Sequence, residues 1–430
     1  MDLKEKVISA ILSKMVSPKK RKFGVEIESF YYKQDTLERI PVNHSDYYSA
    51  VELLEDVKNS IPNSGQFSYS LEPGGQLEWA SGPSISLWDI KDQFSRNDLI
   101  QQNLCEKNKI DIGYFSVEPI SSPLDIDLIN SNKYKLMHDL FLKRGTLGAW
   151  MMRNTTSIQV NIDFTDSEDA AQMAFIADAI QPLVSIIFSN SPFMNGRPTG
   201  ENLRWKIWEN TDNSRCGTLY EHSMNDVDQI VDKYAEWLLT RDTIFLDNMD
   251  DTFDAFSGSF RDMISLKDDD RLIFSAFRQI FTHVRFKNVL EIRAADRQQK
   301  GSELSPAAFA IGLLTAQRTR DILLNEIISW SDKDKERLSR SANELSFDNL
   351  GPKGKSIGFW LEFLSQLALD GLDERADYFE IQNERPFLES ELKHILSHGT
   401  ATNRIIDEYN KSGQSLKSFI KEKYLDSYKS

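Results

Sequence analysis

The chain of 430 residues has only two cysteines, Cys105 and Cys216, and six histidines. It is also short of positive charge: 51 lysines and arginines face 66 acidic residues, for a net −15. Two thiols make no disulfide framework and cannot alone complete a structural zinc site. Neither cysteine lies in a Cys/His setting that activates a thiolate. The acidic balance argues against a nucleic-acid binder, whose phosphate contacts need a basic face. No run approaches the roughly 20 apolar residues of a membrane span. The opening Met1 to Leu12 reads as an amphipathic helix and not as a signal peptide, because charges interrupt its apolar run. The expectation is a cytoplasmic protein in a reducing compartment, with neither nucleic acid nor membrane as partner.

Familiar catalytic motifs are missing too. There is no Gly-x-Ser-x-Gly elbow and no dinucleotide fingerprint. Gly354-Lys355-Ser356 imitates the end of a phosphate loop, but Asn349 stands where that loop needs glycine, so it reads as the start of a helix. His394 and His398 are four apart, yet no Glu follows His394, and a packing or surface role is the simpler reading. The basic run Lys19 to Lys22 reads as a solvated patch.

What is present is a pattern of acids and amides at alternating positions: Glu26 and Glu28, Gln76 and Glu78, Gln159, Asn161 and Asp163, and Glu291 with Arg293. In a strand, residues two apart share a face. Any one such segment matches a half-solvated strand. Four of them, with amides in place of the usual Thr and Lys, predict a wall of carboxylates around hard divalent metals. Arg153, Arg204, Arg215, Arg285, Lys287 and Arg293 lie in or beside the same segments, and guanidinium groups grip phosphate and carboxylate in bidentate fashion.

Strand patterns with interleaved helices occupy about 20–300, and helical character alone follows from Ser305. Helices are expected at 2–16, 46–61, 86–108, 132–145 and 166–188. Strands are expected at 110–117, 155–164 and 289–293, with two more around a turn at Glu72 to Gly75. Residues 190–224 read as a long, functional loop. No linker separates the parts, and one catalytic domain spanning 1–430 is expected, α+β in class, with the helical portion packed on the sheet.

Several of these segments together resemble a known family. They are Phe23-Gly-Val-Glu-Ile-Glu-Ser-Phe30, Leu71-Glu-Pro-Gly-Gly-Gln-Leu-Glu78 and Ser157-Ile-Gln-Val-Asn-Ile-Asp-Phe164. Phe188-Ser-Asn-Ser-Pro-Phe193, Arg204 to Asp212, Leu290 to Asp296 and Glu391 to Lys411 follow in order. The chain resembles the glutamate–cysteine ligases of the plant and proteobacterial type. The resemblance implies a glutamine-synthetase-like, largely antiparallel sheet with flanking helices. It also implies ATP as co-substrate, two or three Mg²⁺ ions, and glutamate and cysteine as substrates joined through a γ-glutamyl phosphate. By the same resemblance Glu26, Glu28, Glu72, Glu78, Gln159 and Glu291 are metal ligands, and Arg293 and Arg285 face the transferred phosphoryl group. Arg204, Trp208 and Arg153 line the amino-acid pocket. A sister ligase acting on another amine or a peptide is the alternative. Ala294 and the run Arg297 to Lys300 depart from the family's glycine-rich continuation and are expected near the substrate pocket. With two cysteines, the disulfide switch of the plant enzymes is not expected.

Overall fold

A computed structural model describes residues 2–61, 66–267 and 269–426. Its main sheet is antiparallel. The strands are β1 (Phe23–Lys33), β2 (Ser68–Leu71), β3 (Leu77–Ala80), β4 (Ile110–Gly113), β5 (Ile158–Ile162), β6 (Val284–Phe286), β7 (Leu290–Ile292) and β8 (Leu425–Asp426). They lie in the order β6-β7-β5-β1-β3-β2, while β4 pairs with the far half of the long β1 and β8 with β4. Seven helices matter here: α1 (Leu87–Asn108), α2 (Asn132–Arg144), α3 (Gly148–Asn154), α4 (Ser167–Ile187), α5 (Leu203–Glu209), α6 (Ser305–Leu314) and α7 (Ile357–Phe379).

Register decides what each face of the sheet carries. Val25 opposes Val160, which opposes Ile292 in turn, and Ile27 sits between Ile158 and Trp79. This apolar face is buried under α4, α6 and α7 in one continuous core. Because strand side chains alternate with period two, the acids and amides must then share the opposite face. Glu26 opposes Gln159, Glu28 opposes Glu78, and Glu291 opposes Asn161.

The helical portion is fastened to the sheet by a buried ion pair. Arg375 of α7 donates through Nε to Glu384 (2.9 Å) and through NH2 to the Ile85 carbonyl (2.9 Å). Glu384 in turn accepts the Leu87 N–H at the start of α1 (2.7 Å).

Most expected elements are present, with three corrections. Residues 190–224 are not a plain loop, since they include α5 and short strand pairs. At seven residues, α5 is too short for helical periodicity to register. The tail is not wholly helical, because Leu425–Asp426 returns to pair with β4. Finally, α4 is long and apolar enough by composition to cross a membrane, which the sequence reading denied. It is the core helix behind the sheet, and its buried Asp178 accepts the backbone N–H groups of Leu219 and Tyr220.

Breaking a buried ion pair by removing one partner typically costs about 3–5 kcal/mol. Glu384→Ala, which strands Arg375 and the Leu87 N–H, is expected to lose about that much in denaturant unfolding. A loss below about 1 kcal/mol would show that the pair does not hold the helical layer.

Candidate active site

On the polar face, Glu28 and Glu78 lie opposite each other on β1 and β3, and Glu72 reaches them from the β2–β3 turn. One carboxylate oxygen from each lies within 4.8 Å of the other two. At that spacing each like-charged pair repels by roughly 3 kcal/mol at an effective dielectric of about 20. Burial, then the Glu72 charge, pushes the Glu28 carboxyl up to about 8, against Arg204 and Arg293. Burial also drives Glu78 well above its ordinary value, with Glu26, Glu72 and Glu28 adding to it. Glu26 is raised by burial and by Glu291. Three oxygen donors facing one point are what a hard divalent cation takes, and a cation there would offset the mutual repulsion of Glu28, Glu72 and Glu78.

The turn that delivers Glu72 is built for close approach. A Cβ on Gly74 would come within 2.5 Å of the Arg153 Cα, and Gly75 has φ +77°. Gln76 bonds the Gly74 N–H through Oε1 (2.9 Å) and donates from Nε2 to the Thr155 carbonyl (2.8 Å). Arg39 donates to the Gly74 carbonyl (2.8 Å). Its guanidinium is set by the buried Glu118, which also accepts from the Tyr32 hydroxyl (2.6 Å). Arg39 and Glu118 lie outside the alternating segments, and nothing in their sequence setting signals the role.

Beside the acids lies a cation cluster centred on Glu291, which is fully buried. Arg285 binds it twice (2.5 and 3.0 Å), Arg293 once (3.1 Å), and Lys287 caps Oε1. Burial pushes this carboxyl up, but Arg285, Lys287 and Arg293 outweigh it and hold it well below the usual range. Glu291, expected as a metal ligand, is engaged in this structure by these three cations. Arg285 also donates to the Ile280 carbonyl (2.6 Å), so its guanidinium is spent on structure. Gln159 bridges the two clusters, donating to Glu28 (2.9 Å) and accepting from Arg293 (2.6 Å). Asn161 donates to Glu26 (2.9 Å).

A small cavity of about 60 Å³ adjoins the acids. Glu28, Glu72 and Gln76 face Arg204, Trp208 and Arg293 across it. Helix α5 supplies Arg204 and Trp208, so part of the segment expected as a functional loop forms the cavity wall. Arg204 donates to the carbonyls of Arg293 (2.9 Å) and Ala294 (3.2 Å). The Trp208 indole Nε1 is buried without a partner, a donor left for a bound acceptor. Arg153 is not brought to this wall: its side chain meets His138 (3.3 Å), and only its backbone serves the Gly74 turn. The departures at 297–300 do not line the cavity either. Arg297 is buried against Ser29 (3.3 Å) and the Gln298 carbonyl (2.6 Å), where it braces the core. Both cysteines are buried, and neither is in a disulfide.

The sequence model of glutamate-cysteine ligase family 2 matches residues 22–413. The chain belongs to this family. It is 27% identical over 438 residues to glutamate–cysteine ligase A, chloroplastic, of Oryza sativa subsp. indica, covering 96% of this chain and 85% of the relative. It is 25% identical to the chloroplastic glutamate–cysteine ligase of Arabidopsis thaliana, covering 97% and 82%. Among solved structures it is similar to a glutamate–cysteine ligase from Francisella tularensis in complex with AMP. That similarity has a TM-score of 0.58 and 13% identity, and covers 94% of this chain and 87% of the other. At that identity the likeness establishes the shared ligase-family fold, a mixed helical and antiparallel-sheet architecture.

The acidic cluster gives this family member a pH signature. Between the ordinary glutamate value of 4.5 and about 8, the folded chain binds a proton on Glu28 that the unfolded chain does not. Stability from this group therefore falls as pH rises through that window. The thermal midpoint in EDTA is expected to drop from pH 5 to pH 8, with Mg²⁺ flattening the slope. A slope unchanged by Mg²⁺ would separate the cluster from metal binding.

Proposed function

We propose that this chain is an ATP-dependent ligase that joins the γ-carboxylate of glutamate to the amine of cysteine. The carrying observation is the Glu28–Glu72–Glu78 cluster facing Arg204, Trp208 and Arg293 across one cavity. Family membership and near full-length likeness to plant glutamate–cysteine ligases support the same reading.

A carboxylate resists amines because its leaving group would be oxide. The γ-carboxylate oxygen attacks the terminal phosphorus of ATP, ADP departs, and the resulting acyl phosphate gives the amine a phosphate to displace. Glu28, Glu72 and Glu78 would hold Mg²⁺, with Glu26 on the same face of β1, two residues from Glu28. A cation held there would screen the nucleotide's phosphate charge and supply Lewis-acid stabilisation to the phosphoryl oxygens. Arg293, tethered by Glu291 and Gln159, points a fixed positive charge at the same region and needs no reorganisation during the reaction. Arg204 and the unpartnered Trp208 N–H would fix the amino-acid substrate, whose charged ends need such partners when desolvated. Helix α5 shields the cavity from bulk water, which protects an acyl phosphate from hydrolysis before the amine arrives.

The test supplies ATP, Mg²⁺, glutamate and a panel of amines. ADP release is expected to require both glutamate and cysteine, with γ-glutamylcysteine identified by mass. Glu28→Gln and Glu78→Gln should each lower kcat by at least about a hundredfold, the scale of removing one preorganised charge partner from a reacting centre. ADP release that depends on glutamate but ignores cysteine would assign another amine. Near-normal turnover in both variants would contradict the site.

A further inference from the structure

Behind the sheet, away from the acidic face, a cleft of about 420 Å³ opens where the residues ahead of β1 meet the start of α4, the helix Gln317–Ile328 and the end of α7. It shares no lining residue with the cavity of the candidate active site.

Its wall carries a charge imbalance. Arg21 and Arg320, 8% and 6% exposed, both bind the same oxygen of Asp169. The other Asp169 oxygen accepts the Thr165 N–H (2.9 Å). Two buried guanidinium ions thus share one carboxylate, and the Nε of each has no partner. The third arginine, Arg375, is already matched by Glu384. Asp166 and Glu168 lie at the exposed rim, where water screens them. Glu374, also in the lining, accepts the Arg318 N–H on Oε1 (3.0 Å), while its buried Oε2 has no partner. Pro18, Tyr378 and Phe379 supply apolar surface between these poles.

An unmatched buried cation calls for an anion, and an orphan carboxylate oxygen calls for a donor. A simple anion would satisfy the arginines but meet Glu374 as a like charge. A simple amine would do the reverse. We propose that this cleft binds a free α-amino acid with an apolar side chain. Its carboxylate lies toward Arg21 and Arg320, its ammonium toward Glu374, and its side chain against Pro18 and Phe379.

Calorimetric titration of the full chain with L-phenylalanine tests this. One-to-one binding is expected, with 3-phenylpropionate and phenethylamine, which each lack one charged end, at least about tenfold weaker. Glu374→Gln should weaken L-phenylalanine by a similar factor, whereas Glu78→Gln, in the other cavity, should leave it unchanged. No saturable heat with L-phenylalanine overturns the proposal. So does equal binding of 3-phenylpropionate, or binding that survives Glu374→Gln and is lost in Glu78→Gln.

Discussion

Mutual repulsion among carboxylates is the constraint around which the site is arranged. Glu28, Glu72 and Glu78 are held close enough that, left charged, they oppose folding by several kcal/mol, a large share of the ~5–15 kcal/mol a domain typically has to spare. The sheet imposes this arrangement. Once Val25, Ile27, Val160 and Ile292 are committed to the core, the intervening acids have only the other face to occupy. A protein can tolerate such a wall by keeping protons on it or by giving it a cation. Burial and crowding raise the proton affinities of Glu28 and Glu78, which favours the first, and the convergence of their oxygens prepares the second.

Much of the surrounding structure keeps opposite charges separate until they are needed. Glu291 gathers Arg285, Lys287 and Arg293 on one side, so these cations do not collapse onto the acidic cluster. Gln159 stands between, one end on Arg293 and the other on Glu28. An amide there spaces the two clusters without adding net charge, which a Glu or Lys would do. The Gly74–Gly75–Gln76 turn and the Arg39–Glu118 pair fix Glu72 from behind, so the third oxygen donor arrives on rigid backbone.

The strands and long helices were legible because their signals are local. Alternation marked β1, β3, β5 and β7, and apolar periodicity marked α1 and α4. The acidic face was legible for the same reason: period two converts sequence spacing into shared orientation. Pairings across the sheet were less so. That Glu291 would serve three cations follows from Arg285 standing opposite it on β6, a register that spacing within one strand cannot reveal. Arg153 shows the same limit, since it lies next to the right segment with its side chain turned to His138. Helix α5, at two turns, is too short to carry a periodic signal, and Arg39 and Glu118 act through a turn distant in sequence.

The most direct measurement is an anomalous-scattering map from crystals soaked in Mn²⁺ with a non-hydrolysable ATP analogue. The account predicts a peak bound by oxygens of Glu28, Glu72 and Glu78 at about 2.2 Å, typical of a small divalent ion on oxygen ligands. The nucleotide's terminal phosphate should lie between that peak and Arg293. A map with Mn²⁺ elsewhere and these three carboxylates unliganded would contradict it.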